Sequence, residues 1–208
     1  MLWAFGFEYG ALMHPSQFTV LVQVHGLVMF AWVELFLTQV ALIVWHRPLW
    51  HRRLEVIGIG VAILVVVLGV PTSIIACRLG GDHLPPGMPP PDFIANALTT
   101  LVAFALLAGG GLALRRRPDF HKRLMLLSNM PPLIAITARL IGFLHLGMGI
   151  APLRNLILLA FIVADVVRTR RLHPALLAGG TCVLATDAAA NALVATAGWA
   201  GIVRALTA

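Results

Sequence analysis

The sequence has few charged side chains, and acidic ones are the scarcest. Only 11% of its 208 residues are charged, 60% are hydrophobic, and aspartate and glutamate together account for 8 residues. A soluble domain carries about a quarter of its residues as charges, so this composition excludes a soluble core protein. The net charge of +7 does not indicate nucleic-acid binding, because the basic residues form short clusters between apolar runs instead of one continuous face.

Cysteine is also scarce, and the common motifs of enzymes are missing. Cys77 and Cys182 are predicted near opposite membrane surfaces, so they should not pair. The sequence has no GxSxG, no Walker loop, no HExxH and no histidine pair at i, i+4 spacing. We therefore predict no catalytic residues and no zinc or other non-haem metal site, and the sequence favours a protein that is not an enzyme while leaving activity open.

Long apolar runs are what the sequence has in abundance. A helix of about 20 residues crosses the hydrocarbon of a bilayer, and about six runs approach or exceed that length. They are Phe18–Trp45, Leu54–Cys77, Phe93–Leu114, Arg123–Leu146, Pro152–Val167 and Pro174–Trp199. We predict an all-α integral membrane bundle that forms a single domain over residues 1–208, with residues 1–16 as an interfacial segment. Pro131 and Pro132 should kink the fourth span.

The positions of the basic residues predict the topology. Three loops hold 11 of the 15 lysines and arginines. They contain Arg47, Arg52 and Arg53; then Arg115, Arg116, Arg117, Lys122 and Arg123; then Arg168, Arg170 and Arg171. The positive-inside rule places these loops in the cytoplasm and both termini on the periplasmic side of a bacterial inner membrane.

Polar side chains within the spans are the candidates for a binding site, because an ionisable group in hydrocarbon costs at least ~2.5 kcal/mol and usually faces the bundle interior. The ligand-binding candidates are His25, Arg139, Asp187, Asn191, Gln23 and Thr100. Most of them are predicted ~10 Å below the outer surface, at ~1.5 Å per residue. Arg139 would contact an anionic or carbonyl-bearing ligand there, with His25 as a ligand or proton carrier. A purely structural pair of Arg139 with Asp187 is the open alternative.

Histidines on different helices also raise the possibility of a b-type haem. His25 with His145 would serve an outer haem, and His51 with His121 an inner one. Their iron atoms would be ~35 Å apart, which is too far for a two-haem relay, although a single haem remains open. His121 and His145 would lie roughly 36 Å apart along a straight helix and should not share a haem.

Several motifs resemble an uncharacterised bacterial family of small multi-pass membrane proteins. They are "VHGLVMFAWVELFLTQVALIVWHRPLWHRRL", "HKRLMLLSNMPPLIAITARL" and "LRNLILLAFIVADVVRTRRLHPALLAGG", which includes Asp165. The resemblance covers most of the chain from Val24 onward and implies the topology without naming a reaction. The chain departs from the family at Glu55, where glycine is expected after "HRRL", and at Asp187 and Asn191 in the last span.

The "HRRL" and "HKRLM" motifs place four cations at predicted cytoplasmic helix ends. These residues, Arg52, Arg53, Lys122 and Arg123, would contact anionic lipid headgroups or the acidic surface of a partner. A third alternative is that they bind Asp119 or Glu55 and so hold the two helix ends in place.

Two functions remain in view. We favour a non-catalytic subunit or assembly factor that packs against a larger membrane complex, of the respiratory or photosynthetic type, through helices rich in small residues. The alternative is a membrane redox protein that binds haem b or a quinone-like ligand in the outer pocket. A transporter has less support, since no matched pair of broken helices is visible. Membrane lipids and other membrane subunits are the expected partners, and nucleic acid is not.

Overall fold

The computed structural model describes residues 19–80, 83–85, 87–131, 133 and 150–208, and these ranges contain helices and no strands. The helices in these ranges are α1 Val20–Val44, α2 Pro48–Leu79, α3 Pro90–Ala113, α4 Pro118–Leu127, α5 Ile150–Thr169, α6 Pro174–Val194 and α7 Trp199–Thr207. Contacts group the chain into two compact units, with the boundary between Ala76 and Cys77, inside α2. Each unit is described by itself.

Four of the helices, α1, α2, α3 and α6, are long and apolar enough to cross a membrane by their length and composition. The chain is therefore an all-helical protein with the character of a membrane protein. Helix α5 has 20 residues and coincides with the fifth predicted span. It is not among the four, and it carries Arg154, Asp165 and Arg168.

In the first unit, α1 and α2 are joined by a tight turn. The Thr19 side chain caps α1 by accepting a hydrogen bond from the Val22 N–H at 3.4 Å. His46 adopts a left-handed φ of 56°, and Pro48 then opens α2, a position that suits proline because its missing N–H is not needed there. Helix α2 therefore begins before the predicted Leu54, and Arg52 and Arg53 lie in its first turns instead of in a loop.

The second unit is built around α3, which packs against α6 and α4. Its apolar core is formed by leucines and a few other side chains from α3, α4, α5 and α6. These include Leu107, Leu124, Leu127, Met130, Leu158, Leu176 and Val183. Gly179 lets α6 approach this core closely, because a Cβ atom there would lie only 2.4 Å from Leu127 Cδ1 and 3.2 Å from Leu107 Cδ2.

Helix α4 ends at Leu127, whereas a kinked but continuous span was predicted here. Proline at position 131 has no N–H to bond to the carbonyl of Leu127 and disfavours helical geometry at Met130. A turn follows instead, in which Ser128 Oγ and Asn129 Nδ2 both donate to the Met125 carbonyl, at 2.7 and 2.8 Å. The prediction of a single continuous helix from Arg123 is therefore wrong at its start, and residues 134–149 lie outside the described part of the chain.

The last predicted span also ends earlier than expected. Helix α6 stops at Val194, and after Gly198, with φ of 89°, the short helix α7 begins at Trp199. The Trp199 indole N–H donates to the Pro91 carbonyl at 3.0 Å, and Arg78 Nη2 donates to the Leu206 carbonyl at 2.9 Å. These bonds hold α7 against the start of α3 and the end of α2.

The close approach at Gly179 can be tested by adding a side chain. We expect Gly179→Val to destabilise the protein by roughly 1–3 kcal/mol, because Leu127 and Leu107 are buried and would be displaced. The measurement is denaturant unfolding in detergent micelles. Gly109→Ala is the matched control, since its Cβ would meet no atom within 4 Å, and it should be neutral or slightly stabilising. Equal effects of the two substitutions would contradict this account.

Candidate functional site

An ion pair between a buried arginine and a partly exposed aspartate joins α5 to α6. Arg154 lies near the start of α5 and its side chain is only 1% exposed. It binds Asp187 with both arms, through Nη2 to Oδ2 at 2.6 Å and Nη1 to Oδ1 at 3.0 Å. This fork-to-fork geometry is the strongest form of a guanidinium–carboxylate pair.

The remaining donors of Arg154 are also used. Nη1 donates to Thr186 Oγ1 at 3.2 Å, while Nε and Nη2 donate to Asn155 Oδ1 at 3.2 and 2.9 Å. With the two bonds to Asp187, these contacts match the five N–H groups of a guanidinium. Arg154 therefore has no donor left for an external ligand, and the cluster is organised to stabilise the helix pair.

A second ion pair joins α5 to α4. Arg123 is 4% exposed, and its Nε and Nη2 both lie 3.0 Å from Asp165 Oδ2. Its Nη1 donates to the Asp119 carbonyl at 2.9 Å. Two opposite charges on α5, Arg154 and Asp165, are thus bound to two different neighbours at points about 16 Å apart along the helix.

One end of the second unit gathers the ends of four helices. The Phe120 and His173 rings meet edge to face at 4.7 Å between centroids, which places the starts of α4 and α6 together. His121 Nδ1 lies 2.8 Å from the Gly111 carbonyl, and this ties α4 to the end of α3. Since Arg123 and Asp165 bring in the end of α5, the second and third predicted basic loops lie at this same end.

Lys122 and Asp119 form an exposed ion pair there, with Nζ and Oδ1 2.7 Å apart. The hydrogen bond from Lys122 lowers the pKa of Asp119 below its ordinary value, and the charge of Lys122 adds to this, with smaller contributions from Arg123 and His173. Both side chains are mostly exposed, so solvent screens the pair and its effect on stability is small.

The predicted ligand-binding residues fall in both units and in the part of the chain outside the described residues. Asp187 binds Arg154, while Asn191 is exposed about one turn further along α6. Thr100 is half-buried on α3. His25 and Gln23 lie on α1 in the first unit, and Arg139 lies outside the described residues. Both carboxylate oxygens of Asp187 accept hydrogen bonds from Arg154, and the predicted pairing of Asp187 with Arg139 stays a prediction.

Two of the haem-ligand candidates lie close to backbone carbonyls of their own unit. His51 Nδ1 lies 3.3 Å from the Gln39 carbonyl, and His121 Nδ1 is bonded to Gly111 as above. His25 Nδ1 is buried and has no hydrogen-bond partner among the described residues. His145 lies outside these residues. Over the ranges that the structure describes, no three His, Cys, Asp or Glu side chains are grouped as a metal site would require.

The cations predicted to contact lipid or a partner behave differently from one another. Arg123 is buried, and Asp165 neutralises a charge that would otherwise lie unpaired in the apolar core. Lys122 is exposed, and so are Arg52 and Arg53. The Arg53 guanidinium lies 5.2 Å from the centre of the Trp50 ring.

Sequence reasoning assigned no role to Arg154, although this residue falls within the fifth predicted span, and it met Asp165 only as part of the family resemblance. Their spacing carried a usable signal. Residues 154 and 165 are three helical turns apart and so lie on the same face of α5. Two opposite charges on one face of an apolar helix predict two oppositely charged neighbours.

Comparisons of the chain with protein-family models, with curated proteins and with solved structures find no match. The resemblance to a bacterial membrane family therefore rests on its motifs alone.

The Arg154–Asp187 pair should stabilise the bundle only as a pair. We expect Asp187→Ala to lower the free energy of unfolding by about 3 kcal/mol, at the low end for a broken buried pair because Asp187 is 41% exposed. Replacing both residues, as in R154M/D187L, should cost less than either single change. Unfolding titrations in detergent would measure this, with Lys122→Gln as the surface-pair control that leaves stability nearly unchanged. Additive effects of the two single substitutions would refute the coupling.

The Asp119–Lys122 pair makes a prediction about pH. Because the Asp119 pKa is lowered in the folded state, the pair's small contribution is present above the ordinary aspartate pKa and is lost as the pH falls through the lowered one. In an NMR titration of the aspartate carboxyl carbons, Lys122→Met should move the Asp119 pKa up toward its ordinary value, while Lys122→Arg should leave it lowered. An unchanged pKa in Lys122→Met would show that another group is responsible.

Proposed function

We propose that the chain is a non-catalytic subunit or assembly factor of a larger membrane complex, of the respiratory or photosynthetic type, in the inner membrane of a bacterium. The topology that we propose has six membrane spans, with both termini on the periplasmic side. The ion pairs support a structural role, because Arg154 and Arg123 are bound to carboxylates of their own chain and are not directed at a substrate.

An exposed face of α6 suits a partner helix. Small residues recur on it every three or four positions, which places them on one side of the helix. We call Ala178, Thr181, Ala185, Ala188 and Ala192 the small-residue face; all five are exposed. Without large side chains, another helix can approach this backbone closely, which is how membrane helices gain packing energy.

Asn191 is the observation that carries the proposal. It is exposed beside the small-residue face, roughly 5 Å from the end of α6. Within the described ranges its amide side chain makes no hydrogen bond. An amide without a hydrogen-bond partner is costly in hydrocarbon, and a polar group on a neighbouring transmembrane helix would satisfy it. We therefore expect a helix of another subunit to pack on the small-residue face. That helix should have small residues at the contact and one side chain that forms a hydrogen bond with Asn191.

Affinity purification after mild detergent extraction from native membranes tests this proposal. We expect the tagged chain to bring other membrane subunits with it. Asn191→Leu should reduce their recovery by about tenfold, since an interhelical amide bond is worth about 1–2 kcal/mol, and Ala188→Leu should do so by blocking close approach. Ala105→Leu, on an exposed face of α3, is the matched control and should retain the partners. Recovery of the unsubstituted chain as a lone, stable monomer would overturn the proposal.

A membrane redox protein with haem b or a quinone-like ligand is the second candidate, and one observation favours it. His25 Nδ1 is buried without a hydrogen-bond partner among the described residues, and a ligand would satisfy it. The same purified material decides the matter. A Soret band, or a co-purifying quinone, that is lost in His25→Leu would favour this function; neither feature in the wild type would remove it.

A further inference from the structure

Five arginines at one end of the second unit have no acidic partner. They are Arg116, Arg117, Arg168, Arg170 and Arg171, here called the arginine cluster, and all are exposed. The first two follow α3 and the other three lie at the end of α5. The Phe120–His173 ring contact and the Arg123–Asp165 ion pair bring these two segments to the same end of the unit.

The nearby carboxylates are already committed. Asp165 binds the buried Arg123, and Asp119 binds Lys122. Among the residues that the structure describes, no ion pair includes a member of the arginine cluster. The end of the unit therefore presents several positive charges together, and their summed field attracts anions from outside the chain.

The surroundings of the cluster indicate which anion. Val167 and Val163, about one and two turns before Arg171 along α5, are 62% and 50% exposed, and Leu172 beside Arg171 is 52% exposed. Arginines that stand where an exposed apolar helix surface ends lie at the headgroup level of a membrane. An acidic soluble protein would gain nothing from this apolar margin, whereas a phospholipid matches both parts with its acyl chains and its phosphate.

The type of cation points the same way. All five members are arginine, whose planar fork binds two phosphate oxygens at once, whereas lysine offers a single point charge. We propose that the arginine cluster is a binding surface for anionic phospholipid headgroups. The arginine cluster differs from the lipid-contacting surface predicted from the sequence. Arg123 is buried in the core, and the cluster consists of cations from two separate loops.

Native mass spectrometry of the delipidated full chain in detergent tests the proposal without any partner subunit, so its outcome is independent of the proposed function. The chain is titrated with phosphatidylglycerol or with zwitterionic phosphatidylcholine. We expect phosphatidylglycerol to bind at least about tenfold more tightly, since each arginine near an anionic surface contributes about 1 kcal/mol. R168Q/R170Q/R171Q and R116Q/R117Q should each lose most of this preference.

Arg204→Gln is the matched control, because Arg204 is an exposed arginine on α7 outside the cluster, and it should bind phosphatidylglycerol like the wild type. Circular dichroism confirms that each variant is folded, which is expected because the substituted side chains are exposed. Three results would overturn the proposal: no preference for phosphatidylglycerol, full preference in both multiple variants, or displacement of the lipid by equimolar inorganic phosphate or polyglutamate, which would identify a free anion or an acidic protein as the ligand.

Discussion

A guanidinium buried in an apolar bundle must be neutralised and must have every N–H bonded, and the second unit is organised around meeting that requirement at Arg154. Asp187 supplies the charge, while Thr186 and Asn155 supply the remaining acceptors. The acceptors come from two helices, so α5 can satisfy the arginine at only one rotation and one height against α6. Asp165 and Arg123 impose the same kind of constraint on α5 from α4. Two helices that contact each other only through leucines can shift along each other more easily than two helices joined by a bidentate ion pair.

The sequence predicted the positions of the helices well, and it predicted the partners of the charged residues much less well. Apolar run length identified α1, α3 and α6 to within a few residues, because length and hydropathy are properties of a single segment. The boundary errors have local causes: Pro48 extends α2 toward its N-terminus, and Gly198 separates α7 from α6.

The partners in the ion pairs could not be predicted from the length and hydropathy of single segments. Asp187 was assigned to Arg139 from estimated depths, which assumed a continuous fourth helix. The turn at Ser128–Pro131 removes that assumption. Because several cations are compatible with one carboxylate in a linear sequence, only the packing of α5 on α6 selects Arg154. The four cations of the "HRRL" and "HKRLM" motifs look equivalent for the same reason, yet Arg123 alone turns into the core.

The separation of the paired residues along the chain has a consequence for biosynthesis. Arg154 precedes Asp187 by 33 positions, and Arg123 precedes Asp165 by 42. As the chain is made, Arg154 is therefore synthesised before the carboxylate that neutralises it, and an unpaired arginine is costly in an apolar environment. The Arg154–Asp187 pair can form only after α6 has been made, so the packing of α5 on α6 is completed late in the synthesis of the chain.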